Sequence, residues 1–181
     1  MGDFSRILLV GKIGECRASW IGIATGPRTR SVLILSRSTQ GCARLLGFVA
    51  RRSEVEEYLG REGVAHGPIG EGPAWSVAPY VSIWAVATLE RPGSVGWWAI
   101  TGDLSNDYVC ANDINHPRNA MRAIATLWQE ASEYMLRGGK HPTFRIGVGD
   151  SNDELAPLLV SRAETLLGWA DDPEVWEDDD L

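Results

Sequence analysis

Apolar residues alternate regularly between residues 80 and 89. A period of two with many β-branched residues predicts a strand. Large apolar groups point both ways, so we expect this strand to be central in the sheet or covered on both sides. The turn at residues 91–94 predicts a hairpin with a returning strand at residues 95–101, and a third short strand is expected at residues 108–111. One face of the first strand carries Val81, Ile83, Ala85, Ala87 and Leu89.

Three helices are predicted around this hairpin. Ser53 and Glu56 have capping-box spacing and predict a short helix that ends near Gly60 or Gly63. Pro117, capped by Asn115 or His116, predicts the start of a long amphipathic helix that ends at Gly138. A second long helix is expected from the Ser151–Glu154 capping box or, given Pro157, from nearer Ala156, up to Asp171. The apolar face of the first long helix is Met121, Ile124, Ala125, Trp128, Ala131, Ser132 and Met135.

Grouped strands followed by grouped helices predict an α+β fold. Its expected parts are a short N-terminal helix and an antiparallel hairpin or three-stranded sheet. This sheet is expected to pack against two long C-terminal helices.

The charge changes sign near residue 50. Residues 1–50 carry seven basic and two acidic residues, whereas residues 51–181 carry ten and twenty-two. Four interpretations of residues 1–49 compete: a transit-type presequence, a signal peptide interrupted by Lys12 and Glu15, a small β-rich extension, or a start assigned upstream of Val49. We favour the last one. The expected division is a poorly ordered extension at 1–49, a single domain at 50–176 and an acidic tail at 177–181.

Composition narrows the classes of partner. The net charge of -7 disfavours nucleic acid and anionic membranes, and no apolar run is long enough to span a bilayer. The three cysteines, Cys16, Cys42 and Cys110, are odd in number and lack CxxC spacing. They argue against a disulfide framework or a zinc knuckle, and they favour the cytoplasm.

Separated segments resemble a bacterial family, domain-of-unknown-function family 4826, over about residues 51–176. Its members carry a W-[VA]-I-[ST]-G-D-L-P-T-D-[YH]-like segment, and this chain departs from it at Ser105-Asn106, so a looser turn is expected. The resemblance implies a bacterial, soluble protein and supplies no activity, cofactor or catalytic residue. The main segments are Ala78-Pro79-Tyr80-Val81-Ser82-Ile83-Trp84, Pro92-Gly93 and Trp98-Ala99-Ile100-Thr101-Gly102-Asp103-Leu104-x-x-Asp107-Tyr108. Downstream matches are Ala120, Arg122, Trp128, residues 159–164 and Val175-Trp176.

The turn after Trp98 holds the candidate chemistry. Asp103 and Asp107, beside Tyr108, would suit metal ligation or acid–base catalysis as a pair. The alternative, which we favour, is that they stabilise the turn through Asx hydrogen bonds or pair with an arginine such as Arg122 or Arg162.

Arg162 is expected at the core edge of the last helix. It would act as an anion or carboxylate receptor that engages Asp103, or as one half of a structural ion pair, which we favour. The candidate binding set is therefore Trp98, Asp103, Asp107, Tyr108 and Arg162.

Cys110, Asp113 and His116 follow at three-residue steps and are weak candidates for a metal site. A buried thiol, a turn aspartate and a helix cap explain the same residues, and this interpretation is favoured. A Cys110–His116 nucleophile pair stays open, although no orienting residue is visible.

The sequence favours a non-catalytic protein-interaction module, adaptor- or immunity-like, that contacts an unidentified protein partner without a cofactor. The alternative is an enzyme or a small-ligand or metal-binding protein with a site around the turn at Gly102, Asp103, Asp107 and Tyr108.

Overall fold

The computed structural model describes residues 9–10, 39–91, 93–139, 141–142, 145–146 and 152–176 of the chain. The predicted acidic tail and most of the predicted extension lie outside these residues. The last helix is followed by a 3-10 turn at Pro173–Val175. The elements are β1 (Leu9–Val10), α1 (Thr39–Arg61), β2 (Trp75–Val77), β3 (Val81–Ala87), β4 (Val95–Gly102), β5 (Asp107–Cys110), α2 (Pro117–Leu136), β6 (Arg145–Ile146) and α3 (Asn152–Asp171).

The main sheet has four antiparallel strands in the order β2-β3-β4-β5. β3 and β4 are the predicted hairpin, with Ile83 opposite Ile100, and β5 is the expected short strand. The prediction of three strands was incomplete because β2, which pairs with β3, lies beside a Gly/Pro-rich loop. β1 and β6 form a separate antiparallel pair. The α+β class is confirmed.

Helices cover both faces of the four-stranded sheet, as the two apolar faces of β3 predicted. Trp84 and Tyr108 lie with Tyr58 and Leu59 of α1 in one core. The residues that alternate with them along the strands pack against α2 and α3 in a second core. Each fully buried large apolar side chain contributes roughly 1.5–3 kcal/mol, so both cores hold the sheet in place. The second core draws on Val81, Ile83, Trp98, Ile100 and Val109 from the strands.

The two long helices, α2 and α3, run antiparallel, and hydrogen bonds join the start of α2 to the end of α3. Arg118 Nε and Arg122 Nη2 both donate to the carbonyl oxygen of Ala170, over 2.5 Å and 2.8 Å. Arg122 also pairs with Asp171 at 2.8 Å. The first turn of α2 therefore caps the last turn of α3, where helix carbonyls lack partners.

The helix boundaries were predicted with mixed success. The side chain of His116 caps α2 by accepting from Arg118 N at 3.1 Å, as expected. α3 begins at Asn152 and contains Pro157, so the later start near Ala156 was wrong. Pro157 is the sixth residue of α3, beyond the first turn, so one backbone hydrogen bond of the helix is missing there.

The first helix was predicted too short. α1 has 23 residues, and Ser53 lies in its interior, where its hydroxyl donates to the carbonyl of Val49 over 3.2 Å. The Ser53–Glu56 capping box was therefore wrong. Because α1 runs through residues 49 and 50, the helix crosses the predicted domain boundary, and the division at that point stays a prediction.

None of the helices within the described ranges combines the length and apolar character that crossing a membrane requires.

Candidate functional site

Two segments of the resemblance meet at one corner of the sheet, here called the motif corner and defined by Arg51, Pro79, Tyr80, Gly102 and Asp103. The backbone N–H of Asp103 donates to the carbonyl oxygen of Tyr80 over 2.9 Å. Gly102 has a φ of 144°, and a Cβ at this position would overlap that same carbonyl. The end of β4 can therefore lie against the start of β3 only because residue 102 is glycine.

Asp103 pairs with an arginine of α1. Nη2 of Arg51 lies 3.1 Å from Oδ1 of Asp103 and 3.3 Å from the carbonyl oxygen of Pro79. Nη1 of the same guanidinium lies 3.0 Å from Glu54, which also accepts from Thr101 over 2.9 Å. Burial lowers the pKa of Arg51, but its bonds and charge contacts with Glu54 and Asp103 raise it to a net value above the ordinary one. Asp103 therefore pairs with an arginine, as the favoured interpretation expected, but this arginine is Arg51 and not Arg162.

Asp107 is buried on the other side of the sheet. Its Oδ2 accepts from Trp128 Nε1 over 2.8 Å, and its Oδ1 accepts from Tyr108 N, also over 2.8 Å. A hydrogen bond between the Asp107 side chain and the nearby backbone was expected. The alternative, an ion pair with Arg122 or Arg162, is not formed, because Arg122 pairs with Asp171 and Arg162 donates to Ser105. The turn places Asp103 on the surface and Asp107 in the core, so the two carboxylates have separate partners and do not converge.

Tyr108 lies on the α1 face, away from Asp107. Its ring meets Tyr58 edge-on at 6.1 Å and Trp97 at 5.5 Å. Burial raises the pKa of Tyr58 above its ordinary value, and the charges of Asp107 and Glu62 raise it further. The neutral phenol of Tyr58 is therefore strongly favoured, because a phenolate would be both desolvated and repelled.

Arg162 reaches the predicted turn but binds a different residue. Its Nη1 donates to Oγ of Ser105 over 2.7 Å, and Ser105 is buried. Burial lowers the pKa of Arg162. Trp98, the remaining member of the candidate set, is buried and donates through Nε1 to the carbonyl of Ile114 over 2.8 Å.

The three residues proposed for a metal site, Cys110, Asp113 and His116, have different structural roles. Cys110 is disulfide-bonded, so its sulfur is neither a thiolate ligand nor a nucleophile, and the argument against disulfides was wrong for this residue. A disulfide at Cys110 removes the support that the cysteines gave to a reducing compartment, and the cytoplasmic location stays a prediction. Asp113 is exposed and His116 caps α2. Within the described ranges, no group of three or more His, Cys, Asp or Glu is placed to hold a metal ion.

Sequence reasoning missed three residues that organise this region. Arg51 was assigned no partner, and Ser105 was noted only as a departure from the family pattern. Trp128 was expected as core, yet a buried indole N–H needs an acceptor. The need for an acceptor could have indicated that Trp128 donates to a buried carboxylate such as Asp107.

Comparison with known proteins gives a family and no relative of established activity. No curated protein and no solved structure matches the chain. The segments at the motif corner, the core tryptophans and both C-terminal helices all lie within one matched region. The chain belongs to the family described as Domain of unknown function (DUF4826), whose model matches residues 49–176.

Proposed function

We propose that this chain is a non-catalytic protein-interaction module, adaptor- or immunity-like, that binds a basic segment of a partner protein at the motif corner. The observation that carries the proposal is the exposure of Tyr80. The residue is 54% exposed, although its backbone lies against Gly102 and Asp103. An exposed tyrosine on a backbone that neighbouring strands hold in place is the kind of anchor that protein interfaces use.

The charge of the matched region supports a basic partner. Residues 49–176 carry 18 acidic and ten basic residues. Such an excess attracts cationic partners and repels nucleic acid and anionic membranes. Next to Tyr80, Asp103 is half exposed, with 56% of its side chain accessible. An arginine of the partner would stack on the Tyr80 ring and share the Asp103 carboxylate with Arg51.

The alternative is an enzyme or a small-ligand or metal-binding protein with its site around residues 102–108. It has less support, because acid–base or metal chemistry needs side chains that converge. Here the Asp103 carboxylate pairs with Arg51 of α1, whereas the Asp107 carboxylate accepts a hydrogen bond from Trp128 of α2.

Photo-crosslinking tests the proposal on the full-length chain in cells that naturally produce it. A photoreactive phenylalanine analogue replaces Tyr80, and in a matched control it replaces Tyr134, which is 39% exposed on α2. We expect one protein to crosslink from position 80 and not from position 134. Equal crosslinking from both positions, or none from position 80, would contradict the proposal.

Affinity measurements then identify the chemistry of the contact. Calorimetry with the purified partner should show a loss of at least about tenfold in affinity for Tyr80→Ala, an anchor residue, and no loss for Tyr134→Ala. Binding should also weaken as salt rises, because the contact joins opposite charges. An affinity that does not depend on salt would rule out recognition of a basic segment.

A further inference from the structure

We propose that Arg162 and the turn at residues 104–106 form a binding site for a small oxyanion, a carboxylate or a phosphate group. This site goes beyond the proposed partner contact, because it lies on the α3 side of the turn. Tyr80 and the Arg51–Asp103 pair lie at the motif corner, against α1.

The first support is a half-buried cation without a carboxylate. Among the described residues, Arg51, Arg122 and Arg137 each have a carboxylate oxygen within 3.1 Å, whereas Arg52 and Arg118 donate to backbone carbonyl oxygens. Within the same part of the chain, Arg162 donates only to the Ser105 hydroxyl. A guanidinium carries five N–H donors, so most of those on Arg162 are available. Partly buried charge is costly unless an opposite charge or strong acceptors compensate it.

The second support is the backbone of the same turn. The N–H of Asp103 donates to Tyr80, and the N–H of Tyr108 donates to Asp107. Between them, the N–H groups of Leu104, Ser105 and Asn106 have no acceptor in the described parts of the chain. Successive backbone N–H groups in a turn are donors that bound anions use. Arg162 is bonded to the middle residue of this turn, so its charge adds to the same attraction.

The two acidic residues that border the turn, Asp103 and Asp107, already accept hydrogen bonds from other groups. Asp103 is paired with Arg51, and Asp107 accepts from Trp128 and from the N–H of Tyr108. Their repulsion of a bound anion is therefore reduced. A planar guanidinium can meet two oxygens of a carboxylate or phosphate at once, which gives the class of ligand.

Anion titration of the full chain tests the site directly. The melting temperature is followed against sodium phosphate, sodium acetate and sodium chloride at matched ionic strength. We expect a saturable rise with phosphate or with acetate, and none with chloride. The stronger of the two responses identifies the oxyanion as phosphate or carboxylate. Identical curves for all three salts would overturn the proposal.

Variants locate the response. Arg162→Gln should reduce the apparent affinity by about tenfold or more, as expected when a charged, bidentate donor is lost. Arg137→Gln, which removes an exposed arginine of α2, should leave the affinity unchanged. Arg162→Lys keeps the positive charge but loses the planar guanidinium that can donate two hydrogen bonds at once. This variant replaces Arg162→Gln if the glutamine variant does not fold. An unchanged affinity in either Arg162 variant would overturn the proposal.

Discussion

The indole Nε1 of Trp128 donates to Oδ2 of Asp107 over 2.8 Å, and this bond joins α2 to the edge strand β5. Both residues are buried, at 0% and 4% exposure. The second oxygen of Asp107 accepts from the backbone of Tyr108. Each oxygen of the carboxylate therefore has a donor, which compensates for its removal from water. The same side chain also covers an N–H of an edge strand, which would otherwise be open to pairing with another chain.

A double-mutant cycle measures this bond. Trp128→Phe keeps most of the apolar surface and removes the N–H, whereas Asp107→Ala removes the acceptor. Because the two groups are in direct contact, we expect a coupling energy of about 0.5–3 kcal/mol from urea unfolding of the single and double variants. Additive effects of the two substitutions would show that the bond contributes nothing.

Gly102→Ala tests the close approach at the motif corner. The new Cβ would overlap the Tyr80 carbonyl, and φ at this position is 144°. We expect a loss of about 3 kcal/mol in the free energy of unfolding, near the upper end for backbone strain. The control is Gly168→Ala in α3, where a Cβ has open space. It should stabilise the chain by up to about 1 kcal/mol. Equal effects at both positions would contradict the described turn.

Tyr58→Phe tests the buried phenol through the pH dependence of stability. The pKa of Tyr58 is raised in the folded state, mainly by burial. The stabilisation is therefore present below the unfolded pKa of about 10 and is lost as pH rises above it, by about 1.4 kcal/mol per pH unit. In alkaline urea unfolding, the variant should lose stability less steeply than wild type above about pH 10. Tyr134→Phe, an exposed control, should keep the wild-type slope, and an unchanged slope in Tyr58→Phe would refute the prediction.

Long periodic segments made the fold predictable. The alternation in β3 and β4 extends over seven and eight residues, and the apolar stripe of α2 extends over most of its length. β2 has three residues, too few for a period, and its strand character depends on pairing with β3. The start of α1 was missed because Ser53 and Glu56 have a spacing that occurs inside helices as well as at their ends.

The arrangement of the site was less predictable because it depends on long-range packing. A separation of four residues between Asp103 and Asp107 suggested one site, yet an irregular turn followed by a strand turns the two side chains apart. Arg162 was correctly expected to reach this turn. Its bond to Ser105, and the bond of Arg51 to Asp103, follow from how α3 and α1 pack on the sheet, which local sequence patterns do not encode.

The central claim is that the two carboxylates of the motif have separate roles, with Asp107 holding the core and Asp103 facing the surface at the motif corner. The most direct test is the free energy of unfolding of Asp107→Asn measured beside that of Asp103→Asn. In Asp107→Asn, one of the two donors, the indole N–H of Trp128 or the backbone N–H of Tyr108, would face the amide NH₂ and lose its acceptor. The free energy of unfolding should therefore fall by about 1–3 kcal/mol. An exposed ion pair contributes little, so Asp103→Asn should lose less than about 1 kcal/mol. Equal losses, or a larger loss at Asp103, would contradict the claim.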